Sequence, residues 1–152
     1  MNKKGGNGNE KKKNFHFIHS SIVTYNWMQY LTESTINIDK LNTVSGIAMS
    51  EVNLEDEGLA FTLVNNTNET IYYGTDISLE KKKNEKWYQV PLSVKIGFLA
   101  TLEYLSPHSE NKFTFPLETW EKIQPGIYRF IKEFYLDETQ KETKYTIKEF
   151  EF

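Results

Sequence analysis

Cysteine is absent from this chain of 152 residues. Its absence excludes disulfide bridges, a thiolate nucleophile and cysteine-ligated zinc. An oxidising compartment remains compatible, because a chain of this length can bury a core without covalent cross-links. Long apolar runs are also missing, so no segment is predicted to span a membrane. The residues after Met1 lack the apolar core of a secretory signal, and we expect either a cytosolic chain or a mature one whose leader was removed.

Positive charge is scarce outside the N-terminus. Arginine occurs once, at Arg129. Residues 1–13 hold five lysines and one glutamate, a net charge of +4, and the whole chain carries −3, which leaves −7 on the remaining residues. A surface that binds the phosphate backbone of a nucleic acid needs clustered positive charge. We therefore expect no nucleic-acid partner for the acidic part of the chain after residue 13.

Composition and periodicity predict three regions. Residues 1–14 are rich in Lys, Asn and Gly, which predicts a disordered basic tether. Residues 15–43 are predicted to be an accessory segment packed on the body. Its conformation stays open, because Val23 and Trp27 belong both to an alternating pattern and to a helical one. Residues 44–152 form the predicted main domain.

The main domain has the pattern of short antiparallel strands. In "GLAFTLV", Leu59, Phe61 and Leu63 alternate with residues of the opposite face. Turn clusters such as "NNTNET" and "SPHSEN" separate about seven such segments, at intervals typical of sandwiches. The pattern therefore predicts an all-β antiparallel sandwich of about seven strands.

The stretch "QPGIYRF" is predicted to form a structural corner. Pro125 fixes its own φ, and Gly126 accepts backbone angles that a side chain would forbid. Tyr128 can then bury its ring and return its hydroxyl to a backbone group of the corner, as in the tyrosine corner of immunoglobulin-like sandwiches. Phe130 points to the same side and is predicted to fill the core.

Alternation turns Arg129 away from Tyr128, toward solvent or a neighbouring strand. We favour a cross-strand pair with a glutamate over a fork for a carboxylate or phosphate ligand, since no second arginine accompanies it. Lys132 and Glu133 interrupt the apolar pattern, which predicts that the strand runs past the core there or contains a bulge.

Three stretches together resemble a known family: "GLAFTLVNNTNETIYYGTDISLEKKKNEKWYQVP", "YLSPHSENKFTF" and "QPGIYRFIKEFY…YTIKEFEF". They are similar to the bacterial immunoglobulin-like domains of surface and secreted proteins of Gram-positive bacteria, over residues 44–152. The resemblance implies a sandwich, an extracytoplasmic address and no catalytic residues. Some such domains belong to lipoproteins, and others lie at the end of the chain of membrane-bound sensor peptidases.

Metal and nucleophile sites find little support. His16 and His19 have a spacing that could suit a metal, but a third ligand is missing nearby, and His108 lies in a distant turn. Ser20 and Ser21 lie beside a histidine without the strand–turn–helix motif of a serine nucleophile. The acidic stretch "NLEDEG" could hold calcium weakly, although a solvated turn is favoured. We expect no enzyme activity, no cofactor and no bound metal.

Adjacent aromatic residues could form a sugar- or peptide-binding platform. In each of the pairs Tyr72–Tyr73 and Trp87–Tyr88, one ring should face the core and one should face outward; Trp120 is a further candidate. Tyr73, Trp87 and Tyr88, together with Arg129, are our predicted interaction surface.

These observations predict a non-catalytic extracytoplasmic module, borne on the surface or on a lipoprotein of a Gram-positive bacterium, that binds a protein or cell-wall component or serves as a spacer. Any membrane contact would pass through an N-terminal lipid anchor missing from this chain. The alternatives are a sandwich that presents "KKKNE" or "LDETQKET" to a protease, a detached sensor domain, and, for the address, the cytoplasm.

Overall fold

A computed structural model describes residues 31–93, 97–98 and 100–152 of the protein, and these residues form ten short β-strands. The fold class is confirmed as all-β and immunoglobulin-like, with more and shorter strands than the seven predicted. The strands are β1 Ile47–Met49, β2 Asn53–Glu55, β3 Gly58–Asn65, β4 Ile71–Gly74, β5 Ser78–Lys83, β6 Lys86–Gln89, β7 Leu102–Leu105, β8 Ser109–Phe115, β9 Ile127–Phe134 and β10 Lys144–Glu151.

Two antiparallel sheets and one two-stranded ribbon make up the fold. The first sheet has the order β10-β9-β5-β6. In the second, β3 lies at the centre, with β8 along one side and the short strands β1 and β2 along the other. The ribbon pairs β4 with β7. No helix of the described residues is long and apolar enough to cross a membrane.

The core lies between the two sheets and is dominated by aromatic rings. Phe61 of β3 meets Phe130 of β9, with ring centroids 5.4 Å apart. Trp120 packs against Phe130 at 5.5 Å and against Phe115 of β8 at 6.0 Å. Because these large side chains bridge both layers, they supply most of the apolar burial that a small sandwich needs.

The corner before β9 is held by hydrogen bonds from two directions. The Tyr128 hydroxyl donates to the carbonyl of Gln124 at 2.6 Å and accepts from its amide at 3.1 Å. Gly126 has φ of +155°, and its amide and carbonyl both pair with Phe152, at 2.8 and 2.9 Å. This φ favours glycine, and a Cβ at Gly126 would also lie 2.9 Å from the Lys81 side chain, so a residue with a side chain would be strained at this corner.

Strand β9 continues through Lys132 and Glu133 without the predicted interruption. All eight of its residues pair in register with β10, from Ile127 opposite Glu151 to Phe134 opposite Lys144. The expectation of a bulge or an overhanging strand was therefore wrong. Lys132 is fully buried, and the core accommodates it because its ammonium group finds carbonyl acceptors.

The segment before β1 pairs with both edges of the first sheet. At the β6 edge, Ser34 donates to the Trp87 carbonyl and Gln89 donates to the Thr32 carbonyl, each at 2.8 Å. At the β10 edge, the Asn42 amide donates to the Tyr145 carbonyl at 2.8 Å. The chain between these contacts includes a 3-10 turn at Ile38–Lys40. The part of the predicted accessory segment that is described is therefore extended and links the two edges.

Several predictions concern residues outside the described part of the chain. The predicted tether of residues 1–14, the candidate metal ligands His16 and His19, and the serines Ser20 and Ser21 all lie there. The alternation of Val23 and Trp27 lies there as well. These interpretations stay predictions.

Candidate ligand-binding face

Three tyrosines lie side by side on the outward face of the β4–β7 ribbon and the adjoining end of β9. Tyr72 of β4 is directly opposite Tyr104 of β7. On its other side, Tyr72 exchanges two backbone hydrogen bonds with Tyr135, at 2.9 and 2.7 Å. Directly opposed residues project to the same face of a sheet, so Tyr104, Tyr72 and Tyr135 form one row, called the tyrosine row below.

The tyrosine row faces away from the core. Tyr104 is 66% exposed, and Tyr72 and Tyr135 are half-buried. The prediction that Tyr73 points outward was wrong. Its ring is buried, 5.7 Å from the ring of Phe113, and its hydroxyl accepts a hydrogen bond from Asn111 at 3.0 Å. Tyr72 is therefore the outward member of that pair.

One end of the ribbon is fixed by a buried asparagine. The side-chain amide of Asn65 donates to the carbonyls of Glu69, Leu105 and Ser106, at 2.8, 3.0 and 3.0 Å. These bonds tie the turn before β4 to the end of β7, so they set the positions of both strands that carry the row.

A buried lysine fixes the opposite end of the ribbon. The Lys132 ammonium group donates to the carbonyls of Gly74 and Asp76, at the point where β4 leads into β5. It also lies 5.4 Å from the centre of the Tyr73 ring. Burial lowers the pKa of Lys132 to about 8, while the nearby carboxylates of Asp76 and Glu133 act in the opposite direction.

A cavity of about 340 Å³ opens beside the tyrosine row. Asp76, Glu133 and Gln140 contribute polar side chains to its wall, and Phe98, Leu102 and Tyr135 contribute apolar or aromatic surface. Tyr135 belongs to both the row and the cavity, so the two features form one continuous surface.

Gly74, which also lines the cavity, leaves room for the Asp76 carboxylate. A Cβ at Gly74 would lie 2.5 Å from a carboxylate oxygen of Asp76. The glycine therefore lets the Asp76 carboxylate lie directly over the strand, inside the cavity.

The second carboxylate of the cavity lies in an unfavourable environment. Burial raises the pKa of Glu133, and the neighbouring Asp76 carboxylate raises it further. The Tyr135 hydroxyl and the Lys132 ammonium group act against this rise. Two acids and one buried base thus share a small volume at the end of the ribbon.

The Glu133 carboxylate influences the pKa values of two nearby tyrosines. Burial raises the pKa of Tyr135, and the Glu133 carboxylate adds to the effect. Tyr145, directly opposite Glu133 on β10, has its pKa raised by burial and then by Glu133. Both phenols are therefore held in the protonated form, in which a hydroxyl can donate as well as accept a hydrogen bond.

Arg129, a predicted member of the interaction surface, is buried, with 4% of its surface exposed. Its Nε and Nη2 atoms donate to Glu80, directly opposite on β5, at 2.7 and 2.6 Å. The Trp87 ring covers the guanidinium group at 4.4 Å. Arg129 thus makes the cross-strand glutamate pair that was favoured, but it presents no binding surface to solvent.

Trp87 and Tyr88 are both half-buried and lie on opposite faces of β6. Neither ring belongs to the core cluster of the described residues. Trp87 contacts Arg129 and the Lys82 ammonium group, so its accessible face is limited. Trp120, the further aromatic candidate, is buried in the core.

The other predicted sites within the described residues are largely exposed: one lies in a turn, and the other spans β2 and the turn that leads into β3. His108 is exposed in the turn before β8 and hydrogen-bonds Asn68 at 2.8 Å. In the acidic stretch 53–58, Glu55 pairs with Lys112 at 2.8 Å. Among the residues that the structure describes, no three His, Asp or Glu side chains lie close enough together to hold a metal ion.

Sequence reasoning missed Tyr104 and Tyr135 as parts of a binding face. They come from distant parts of the chain, whereas the predicted aromatic candidates were two adjacent pairs and Trp120. The one local signal was the strand "LEYL", in which Tyr104 alternates with the core residue Leu105.

Comparison with known proteins gives one family. A family model described as "Bacterial Ig-like domain" matches residues 40–151. No curated protein matches the chain significantly. The matched range includes the ribbon, the tyrosine row and the cavity.

Proposed function

Because the chain belongs to the bacterial Ig-like domain family, we propose that it is a non-catalytic extracytoplasmic module that binds a partner through the tyrosine row. The observation that carries this proposal is the alignment of Tyr104, Tyr72 and Tyr135 on one outward face. Exposed aromatic residues concentrated on one face are a recurrent feature of binding surfaces, because their rings provide contact area at low cost in conformational entropy.

The rigidity of the ribbon supports binding in preference to a spacer role. Asn65 anchors one end through three carbonyls, and Lys132 anchors the other through two. A spacer requires only the sandwich, whereas a binding face benefits from strands whose positions are fixed before the partner arrives.

We propose that the protein is located at the cell surface of a Gram-positive bacterium and is held there by a lipid anchor upstream of this chain. The basic residues 1–13 suit a tether that runs beside anionic lipid. A cysteine codon in a lipidation motif just before Asn2 in the native gene would support this proposal, and fractionation of cells that express that gene tests it. Recovery in the cytoplasmic fraction alone would contradict it.

The protease-directed alternative receives less support from the first of its two loops. In the "KKKNE" turn, Asn84 and Glu85 both have positive φ, at 50° and 63°, between paired residues Lys83 and Lys86. This is a two-residue hairpin turn, too short to extend into an enzyme cleft. A sensor role within a longer protein is compatible with the same binding face.

The proposal is tested by binding to separated envelope components. Immobilised protein is incubated with purified cell walls and, separately, with secreted proteins, alongside the variants Tyr104→Ala and Leu54→Ala. Leu54 is 61% exposed on β2 and serves as the matched control. We expect one component to be retained by the wild type and by Leu54→Ala, and at least several-fold less by Tyr104→Ala. Equal retention by all three proteins, or none by any, would remove the tyrosine row as a binding face.

A further inference from the structure

The cavity beside the tyrosine row has the composition of a site for a positively charged group. Asp76 and Glu133 supply two carboxylates, and Phe98 and Tyr135 supply aromatic surface within the same 340 Å³ volume. Aromatic faces attract cations through the ring quadrupole, and the attraction is stronger where water is partly excluded. Negative charge and aromatic surface together match an organic cation.

We propose that this cavity binds an alkylammonium group, such as the end of a lysine side chain or a small amine. The proposal rests on the proposed binding role and specifies the chemistry that the tyrosine face recognises. The carboxylates supply charge, and the Tyr135 and Phe98 rings contact the methylene groups next to the nitrogen. The cavity volume is sufficient for an alkyl chain of several carbons.

The electrostatic environment of Glu133 also favours a cation in this cavity. Its carboxylate is half-buried and close to Asp76, so two like charges oppose each other. The Lys132 ammonium group only partly offsets this repulsion. Its hydrogen bonds are directed to the carbonyls of Gly74 and Asp76. A cation within the cavity would relieve the remaining repulsion.

The arrangement favours an organic cation over a bare metal ion. Among the described residues, no group of three or more His, Asp or Glu side chains is positioned as a metal site. Two carboxylates provide fewer ligands than calcium requires, since that ion takes six to eight oxygens. An ammonium group needs only a few acceptors and gains from aromatic contact.

The proposal is tested by titrating the full chain with matched probes, followed by NMR shifts and calorimetry. N-acetyl-lysine N-methylamide and n-butylammonium carry the charge, and N-acetyl-norleucine N-methylamide lacks it. We expect both ammonium probes to bind and the neutral probe to bind at least about tenfold more weakly. Tighter binding of the lysine amide identifies a peptide as the source, and equal binding identifies a small amine.

Three variants locate the site. Glu133→Gln and Asp76→Asn should each weaken ammonium binding roughly three- to tenfold, whereas Glu110→Gln, an exposed acid on β8, should leave it unchanged. Gly74→Ala should displace the Asp76 carboxylate, which would lie 2.5 Å from the added Cβ, and should therefore weaken binding as well. Thermal melts confirm that each variant is folded.

Three results would overturn the proposal: equal affinity for the neutral probe, equal weakening by Glu110→Gln, or a response to calcium alone. These results are separable from failure of the binding role. If Tyr104→Ala abolishes retention of an envelope component but ammonium probes do not bind, the inference fails and the binding role stands. If ammonium probes bind but Tyr104→Ala retains the envelope component as well as the wild type does, the inference stands and the binding role of the tyrosine row fails.

Discussion

Arg129 and Glu80 lie directly opposite each other on β9 and β5 and form an ion pair that is almost completely buried. Two guanidinium nitrogens bond the same oxygen of Glu80, at 2.7 and 2.6 Å. The other oxygen, Oε1, is buried without a hydrogen-bond partner among the described residues. The pair is therefore specific in geometry and incompletely satisfied, which makes it a sensitive point of the fold.

Removal of one partner of this pair should destabilise the protein strongly. Arg129→Met leaves the Glu80 carboxylate buried without its cation, which we expect to lower the free energy of unfolding by about 3–5 kcal/mol. The double variant Glu80→Leu/Arg129→Met removes both charges and should recover most of that loss. Urea denaturation measures all three proteins.

The exposed pair Lys112–Glu55 provides the control for this experiment. Its members are more than one-third exposed, so Lys112→Met should cost less than about 1 kcal/mol. A similar loss for Lys112→Met and Arg129→Met would contradict the importance of burial.

Tyr128→Phe should remove the hydroxyl that holds the corner before β9. The ring would keep its place in the core, but the Gln124 amide and carbonyl would each lose the hydrogen bond to this hydroxyl. We expect a loss of about 1–2 kcal/mol in the free energy of unfolding. Tyr104→Phe, which removes an exposed hydroxyl, should be neutral. No difference between the two variants would show that the corner does not depend on this hydroxyl.

Stability should rise with pH above about 8 because of Lys132. Its folded pKa of about 8 lies below the ordinary value of 10.5, so the unfolded chain binds more protons between these values. The free energy of unfolding should therefore increase by about 1.5 kcal/mol from pH 8 to pH 9.5. Urea denaturation at both pH values checks this for the wild type and for Lys132→Met, in which the rise should disappear. A rise of equal size in the variant would assign it to another group.

Deletion of residues 1–34 should affect one edge of the first sheet and spare the other. The Gln89 amide donates to the Thr32 carbonyl and would lose its acceptor. The Ile147 amide donates to the Asn42 side chain at 2.9 Å and would keep it. Hydrogen exchange should accelerate at Gln89 and remain unchanged at Ile147. Acceleration at both amides would mean that the two edge contacts form as one unit.

Much of the fold was predictable because its signals are local. The alternation in "GLAFTLV" reflects the two-residue period of a strand, and β3 shows it. The corner residues Pro125, Gly126 and Tyr128 act within a few residues of each other, so their hydrogen-bonded arrangement could be anticipated. The division of one edge of the second sheet between β1 and β2 could not be anticipated. Each of these strands has only three residues, which is too short to show a clear alternation of apolar and polar residues.

The candidate site was less predictable because its residues meet through long-range pairing. Tyr104 and Tyr135 join Tyr72 only after β7 and the end of β9 are placed on either side of β4. The cavity likewise depends on Phe98 and residues 100–102 lying close to Glu133. The burial of Lys132 was not predicted, because its charge suggested that the strand leaves the core there. The carbonyl groups that accept its hydrogen bonds belong to Gly74 and Asp76, which are distant in the chain.

The sequence by itself determined that adjacent aromatic residues on a strand face opposite ways, that the chain has no covalent cross-link, and that a rigid corner precedes β9. Only the tertiary structure decided that Tyr72 faces outward and Tyr73 inward, and that Arg129 and Lys132 are buried. The period of a strand fixes relative orientation along one segment. The absolute orientation depends on which face another layer covers, and that is settled by contacts between distant parts of the chain.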